Sequence, residues 1–385
     1  MFPNLPYNPE RCKMLIVCTV SNIVNRWSPF IPGVHTKQEA DHDDILDISQ
    51  DGQFDSLGSL KDRITEGVFK SGPGKRQIPI EVMYQGDGAN LYAAYSSSPA
   101  YYLYLAERSI LQTYANEMAS LIADRSSIIE LGAGSLEKTQ VLLQAVAQAP
   151  QIVDGIDYYA LDINRQALVE SLASLPALKM VKCYGLYGTY NDGLNHAAKL
   201  QLRSDIEQVP RVFMWLGSSI GNLTMEAAIG MVKSIADVMV DGDMILIGLD
   251  EWNSETTIDA AYEPADTLVL NTLMNANEIL GQAVFDMSKF VYSTQVNRLE
   301  GRNECCCMVS EDIELKYEGE TIRMERGEKI LVVPSYKYTD EQVLEMVKAT
   351  GCLEVVRRFG RPDVGGIHYG IWVWRKTVRA TFSPK

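Results

Sequence analysis

The sequence predicts an α/β protein: a Rossmann-like, doubly wound parallel sheet that carries a second, smaller α+β lobe. Three observations lead there. Short apolar runs at Ile128–Leu131, Tyr158–Leu161 and Met214–Leu216 end in Gly132-Ala133-Gly134, Asp162 and Gly217, as buried parallel strands end at a ligand-binding edge. Helical stretches separate these runs at the spacing of βα units. After Glu251 the alternation stops and strand-like runs follow one another, as in an antiparallel block.

Taken in order, residues 1–40 are punctuated by Pro and Asn and read as an extension. Asp41–Asp51 is acidic and reads as a surface loop. Ser56–Phe69 has helical spacing, and Lys70–Lys75, with Gly72-Pro73-Gly74, reads as a flexible link. Residues 76–125 read as mainly helical and are rich in tyrosine. Strands are expected near 127–131, 158–162, 180–184, 211–216 and 243–249, with helices such as 136–148 and 165–174 between them. Residues 255–282 read as helices. Phe290–Leu299, Glu304–Ser310, Ile313–Tyr317, Thr321–Glu325 and Lys329–Ser335 read as strands. A helix over Asp340–Thr350 stops at Gly351, and Gly370–Trp374 is the last strand. The expected organisation is an N-terminal extension (1–44), a helical substrate-lobe segment (45–125), a Rossmann-like cofactor domain (126–254), a substrate lobe with antiparallel strands (255–350) and a C-terminal strand region returning to the core (351–385).

The 385 residues are 46% hydrophobic and 22% charged, with a formal net charge of −15. That surplus of acid argues against nucleic acid and against an anionic membrane surface as partners. Met14–Val20 is too short and too polar-flanked for a membrane span, so a cytoplasmic location is expected. The seven cysteines include the run Cys305-Cys306-Cys307. Neighbouring side chains on a strand point to opposite faces, so such a run cannot close on one metal ion. It reads as small apolar residues in a reducing compartment. The four histidines form no metal-binding pair. No metal is expected, and the oligomeric state is open.

Chemistry concentrates in three places. A dinucleotide site wants Gly-x-Gly-x-x-Gly beside the pyrophosphate. Counted from Gly132, the third glycine position is Glu137. S-adenosylmethionine (SAM) has adenosine but no phosphates; it needs backbone room, which Gly132 and Gly134 offer, and a ribose-binding carboxylate, which Asp162 offers. A tight turn with a capping acid would read the same way. Lys138 could reach a cofactor carboxylate, but taken alone it reads rather as a solvated helix residue. The loop Gly217-Ser218-Ser219-Ile220-Gly221-Asn222 follows a buried strand at the carboxyl edge where doubly wound sheets bind ligands. Asn222 either donates to a substrate carboxylate or caps the next helix. Tyr84, Tyr92, Tyr95, Tyr101, Tyr102, Tyr104 and Tyr114 offer flat walls and hydroxyls for an aromatic substrate, or ordinary packing. No Cys/His or Ser/His set assembles. Methyl transfer from an activated sulfonium needs none: alignment alone supplies about 7–11 kcal/mol at best, and an α-amino group with a pKa near ~8 is easily kept neutral.

Five ordered motifs carry a family resemblance: Ile-Glu-Leu-Gly-Ala-Gly-Ser-Leu-Glu-Lys-Thr (129–139), Tyr-Tyr-Ala-Leu-Asp (158–162), Gly-Thr-Tyr-Asn-Asp-Gly-Leu (188–194), Leu-Gly-Ser-Ser-Ile-Gly-Asn-Leu (216–223) and Ser-Tyr-Lys-Tyr-Thr (335–339). From about Ile45 to Trp374 the chain resembles the histidine-specific Nα-methyltransferases of ergothioneine biosynthesis and the fungal dimethylallyltryptophan N-methyltransferases of ergot alkaloid pathways. The resemblance implies a SAM-dependent enzyme of secondary metabolism acting on a small amine or amino acid. It implies that Tyr84, Gly132, Lys138, Asp162 and Tyr190 contact the cofactor; Gly134 and Gly217 belong to the same expected pocket. It implies that Tyr101, Asn222 and Tyr262 form the candidate catalytic and substrate-binding set, holding amino and carboxylate groups.

One departure stands out. Histidine-specific members place a glutamate two residues before the serine that matches Ser335, and the two grip the imidazole. Here that position is Val333, where an imidazole N–H would stay unpaired at a cost of about 1–3 kcal/mol. Val333 and Ser335 therefore suggest an indolic, tryptophan-derived acceptor. A histidine Nα-methyltransferase and a catalytically silent methyltransferase-like partner subunit are the rival readings.

Overall fold

The computed structural model describes residues 44–49, 56–202, 210–360 and 366–377. The expectations for residues 1–43, including Met14–Val20, Cys12 and Cys18, fall outside these. The strands are β1 (Ile45–Asp47), β2 (Ser127–Leu131), β3 (Ile156–Asp162), β4 (Val181–Tyr187), β5 (Arg211–Trp215), β6 (Met244–Asp250), β7 (Phe290–Asn297), β8 (Arg302–Val309), β9 (Ile313–Tyr317), β10 (Glu320–Met324), β11 (Lys329–Tyr336), β12 (Leu353–Gly360) and β13 (Tyr369–Lys376). The α-helices are α1 (Ser56–Thr65), α2 (Gly88–Ser96), α3 (Tyr102–Ala119), α4 (Thr139–Gln148), α5 (Arg165–Ser174), α6 (Tyr190–Leu202), α7 (Met225–Val238), α8 (Glu255–Tyr262), α9 (Asp266–Leu280) and α10 (Asp340–Thr350).

Eight strands form one sheet in the order β1-β4-β3-β2-β5-β6-β13-β12. The six from β1 to β6 run parallel, and β13 joins antiparallel between β6 and β12. Every residue of β2, β5 and β6 is buried, because helices cover both faces; this is why these strands read as continuous apolar runs rather than alternating ones. Ile128, Val212, Met214 and Leu246 face the core that α3 and α4 complete. Ile129, Leu131, Phe213, Trp215 and Ile247 face the core that α7 and α10 complete. The direction of winding reverses between the neighbours β2 and β5. The crevice at their carboxyl ends is therefore the place where such a sheet binds ligands.

Two expectations need correction. Asp41–Asp51 is not simply a surface loop: Ile45–Asp47 adds an edge strand to β4. The sequence reading also has no strand at 353–360, where β12 closes the other edge. The second lobe is as expected a block of antiparallel strands. β7, β8 and β11 make a three-stranded sheet with β8 central, and β9 and β10 make a hairpin. Cys305, Cys306 and Cys307 lie buried and free on β8, and among the described residues no cluster of three His, Cys, Asp or Glu could hold a metal. Among the described residues, too, no helix is long and apolar enough to cross a membrane.

Local chemistry sets where helices begin. Asn164 caps α5, Thr224 caps α7 and Ser254 caps α8 through side-chain oxygens that accept N–H groups of the first turn. At α10 the cap is reciprocal: Thr339 accepts the Gln342 N–H, and the Gln342 side chain accepts the Thr339 N–H at 3.0 Å. α10 packs on α7 and follows directly from β11, so this cap also fixes where β11 ends. Replacing Thr339 with alanine should lower stability by about 1 kcal/mol, visible as a lower urea midpoint at unchanged slope.

Candidate active site

The glycines after β2 take backbone shapes that side chains rarely adopt. Gly132 (φ +70°) and Gly134 (φ +53°) are left-handed. The Gly132 and Ala133 N–H groups donate to the Leu161 carbonyl at 2.9 and 3.0 Å, tying the turn to β3. The Gly134 N–H donates to Asp162 Oδ2 at 3.0 Å, and the Asn164 N–H donates to Oδ1 at 2.9 Å. Each Asp162 oxygen thus holds one donor and keeps lone-pair capacity for another. The cap of α5 is Asn164, so Asp162 is not consumed as a helix cap. Burial raises the Asp162 carboxyl above its usual range, against the pull of the Asn164 and Gly134 N–H groups. A Cβ on Gly132 would come within 2.8 Å of the Tyr190 hydroxyl, which places Tyr190, the first residue of α6, across this turn.

Lys138 is not a solvated helix residue. Its ammonium pairs with Glu107 on α3, whose side chain is fully buried, and lies 5.2 Å from the Tyr104 ring centroid. Burial alone would lower the Lys138 pKa; the Glu107 charge overturns this and holds it above the ordinary value. Glu107 also accepts the Gly217 N–H at 2.8 and 2.9 Å and the Tyr369 hydroxyl at 2.6 Å. It therefore gathers the end of β5, the start of α4 and β13 around one charge. Gly248 is glycine because a Cβ there would sit 2.1 Å from Glu107 Oε2. The sequence holds a signal for Glu107: it lies in the apolar stripe Leu103, Ala106, Ile110, Leu111, where an acid has no business without a buried partner.

A cavity opens between this edge of the sheet and the second lobe. Its walls include Tyr84, Tyr92, Tyr95, Tyr101 and Tyr262 from the helical segments, Gly217, Ser218, Ser219 and Asn222 from the β5 loop, and Cys305, Val333 and Ser335 from the three-stranded sheet. Gly217 (φ +76°) and Ser218 (φ +55°) turn the chain into the short helix Ser219–Asn222. Thr224 rather than Asn222 caps α7, which leaves Asn222 at the cavity wall. The aromatic walls brace one another: Tyr95 lies 4.7 Å from Tyr101 between ring centroids, Tyr101 meets Tyr262 edge-on at 6.1 Å, and Tyr84 meets Tyr92 edge-on at 5.4 Å. Of the other clustered tyrosines, Tyr102 donates to Asp250 Oδ2 at 2.9 Å and Tyr114 packs on Phe359. Val333 and Ser335 are two residues apart on β11 and share its cavity face. The structure thus brings Tyr84, Tyr101, Gly217, Asn222, Tyr262, Val333 and Ser335 to one cavity, and puts Gly132, Gly134, Lys138, Asp162 and Tyr190 along the neighbouring carboxyl edge of β2 and β3.

Residues 60–363 match the family described as histidine-specific, SAM-dependent methyltransferases. The chain belongs to this family. It is an enzyme, a SAM-dependent N-methyltransferase with SAM as its cofactor. The chain is 34% identical over 342 residues to ergothioneine biosynthesis protein 1 of Neurospora crassa, covering 86% of this chain and 37% of that much longer protein. It is 31% identical over 334 residues to an L-tryptophan methyltransferase of Psilocybe serbica, covering 80% of this chain and 92% of the relative. It is 29% identical over 333 residues to a 4-dimethylallyltryptophan N-methyltransferase of Aspergillus fumigatus, covering 83% and 94%. The methyltransferase's own groups fit SAM. The turn at Gly134 has no atom within 4 Å of where a Cβ would be, Asp162 has acceptor capacity to spare, and the Lys138 ammonium lies beside the glycine turn that ends β5.

Two more residues of the site escape sequence reasoning. Asp250 ends β6, and Lys337 follows β11. They form an ion pair at 2.6 Å in which both side chains are wholly buried. Asp250 is the acid that closes the apolar run Met244–Leu249, the same signal that singles out Asp162 at the end of β3. Lys337 keeps strand alternation with Ser335 and lies behind it, its ammonium donating to Ser335 Oγ at 2.9 Å.

Proposed function

We propose that this methyltransferase methylates the amino group of an aromatic, indolic amino acid or a metabolite derived from one. The observation that carries the reading is Val333. It stands at the cavity wall beside Ser335 and Cys305, in a chamber whose walls include five tyrosines and the apolar Met83, Leu103, Leu268 and Val269, and its side chain supplies no acceptor for an imidazole N–H. The relatives named for tryptophan and dimethylallyltryptophan support the same acceptor class.

The roles divide along the sheet edge. Asp162 accepts the ribose hydroxyls, while Gly132, Gly134 and Tyr190 shape the adjoining cradle. Lys138 and the Gly217 turn take the cofactor's amino-acid end, and Tyr84 closes the pocket where the two ligands meet. When bound, SAM supplies a methyl group already activated on a sulfonium. The chain's task is then to present a neutral amine in line with it. Asn222 and Tyr101 orient the amino group, and Tyr262 and Ser335 hold the remainder of the acceptor. The tyrosine walls exclude water, so an ammonium entering the chamber loses solvation and gives up its proton more readily. Positioning of this kind supplies about 7–11 kcal/mol at best without a general base.

Two experiments follow. Radiolabelled SAM offered with tryptophan, prenylated tryptophan, tyrosine and histidine should label the indoles fastest, with the methyl on the α-nitrogen by mass spectrometry; label on a ring or carboxyl oxygen refutes the reading. Gly132→Ala should weaken SAM binding about tenfold, because a Cβ would meet the Tyr190 hydroxyl at 2.8 Å and force a left-handed alanine. Calorimetry giving wild-type affinity would remove Gly132 from the cradle.

A further inference from the structure

The Lys337 ammonium has three N–H groups, and the structure accounts for all three. One goes to Asp250 Oδ2 at 2.6 Å, one to the Tyr262 hydroxyl oxygen at 2.8 Å and one to Ser335 Oγ at 2.9 Å. Lys337 is fully buried, so it touches no ligand itself. Its two hydroxyl partners both line the cavity and lie 2.6 Å apart. One hydroxyl proton is therefore shared between Tyr262 and Ser335, whichever of them donates. The second hydroxyl proton has no acceptor in the protein among the described residues, and the open side of the pair is the cavity.

We propose that Lys337, anchored by Asp250, is a specificity-determining positioning residue that locks Tyr262 and Ser335 into presenting a hydrogen-bond donor to the acceptor molecule. Without Lys337 the two hydroxyls still bond to each other, but the lone pairs it occupies are open to a ligand's donor, so the pair serves either as donor or as acceptor. With it, each oxygen is already accepting, and the pair offers a proton beside a buried positive charge. The group that docks there is an acceptor, best an anion: in an amino acid, the carboxylate. An ammonium or an indole N–H is turned away from this corner, which leaves the amine for Asn222 and Tyr101. The pair rests on rigid supports. Asp250 receives the Tyr102 hydroxyl at 2.9 Å, its own N–H donates to Ser218 Oγ at 3.0 Å, and its carbonyl accepts the Tyr338 N–H at 2.9 Å. The same contacts join the parallel sheet, the β5 loop and the strand that carries Ser335.

This inference rests on the amino-acid reading above, and its test separates the two. Wild-type enzyme is assayed with amino acids and their decarboxylated amines in pairs: tryptophan with tryptamine, tyrosine with tyramine, histidine with histamine. The same pairs are run with Lys337→Met and with the double variant Lys337→Met/Asp250→Asn, which strands no buried charge. SAM affinity by calorimetry reports that the variants are folded. We expect the double variant to keep SAM affinity, to raise KM for the preferred amino acid about tenfold or more with a much smaller change in kcat, and to leave kcat/KM for the matching amine within about threefold. Equal losses on acid and amine would reduce Lys337 to a structural role and overturn the proposal, as would unchanged discrimination. Amines preferred over their parent acids by the wild type would also overturn it, while leaving the aromatic-acceptor reading intact. If no member of the panel is methylated, the acceptor reading fails and this inference falls with it.

Discussion

Replacing Asp162 with alanine is expected to raise the dissociation constant for SAM about a hundredfold or more. Two ribose hydroxyls donating to a carboxylate are worth about 1.5–3 kcal/mol each, and about 2.8 kcal/mol already corresponds to a hundredfold. The alanine also releases the Gly134 and Asn164 N–H groups, which Asp162 holds at 3.0 and 2.9 Å, so the glycine turn loses its brace. Asp162→Asn keeps one acceptor oxygen at the price of introducing an N–H₂ facing one of those donors, and should fall between. Calorimetry measures all three. Wild-type affinity in Asp162→Ala would mean that the ribose lies elsewhere and that the carboxylate serves only the turn.

Val333→Glu should shift acceptor preference from indoles toward histidine. The new carboxylate would stand two residues from Ser335 on the same face of β11, with the Cys305 strand beside it. An imidazole N–H would then find an acceptor, regaining the roughly 1–3 kcal/mol that an unpaired donor costs at valine. An indole carbocycle would meet a charge instead of a methyl group, and lose by a comparable amount. Opposite movements of this size multiply in the ratio of kcat/KM for histidine over tryptophan, which should rise between about thirtyfold and about twenty-thousandfold. Lys337 does not neutralise the new acid, since its three N–H groups are already committed. An unchanged ratio would show that the ring of the acceptor never reaches β11.

The centre of the parallel sheet was legible because β2, β5 and β6 are buried on both faces, and such strands announce themselves as unbroken apolar runs. α5 and α10 fall over the expected spans 165–174 and 340–350, and the structure shows Asn164 and the Thr339–Gln342 pair capping them. The edges were not legible. β1 is three residues long beside a cluster of acids, and β12 carries Arg357 and Arg358 and a register shift between Val355 and Arg357, which breaks the alternation that marks a half-buried strand. The site divides in the same way. Glycines and the strand-terminal acid Asp162 are local signals. Glu107 and Lys337 acquire meaning only from partners far away in sequence: Glu107 from Lys138, Gly217 and Tyr369, Lys337 from Asp250 and Tyr262. An acid inside an apolar helix stripe and a lysine alternating with a cavity serine hint at buried partners, but neither names them.

The proposed selection of an indolic amino acid over histidine rests on Val333 and the tyrosine walls. A one-pot competition measures this most directly: equal concentrations of tryptophan and histidine, limiting SAM, and mass-spectrometric quantification of the two α-N-methyl products at low conversion. The ratio of products equals the ratio of kcat/KM. A ratio of about ten or more in favour of tryptophan is predicted from the unpaired imidazole N–H; a ratio favouring histidine would contradict the account.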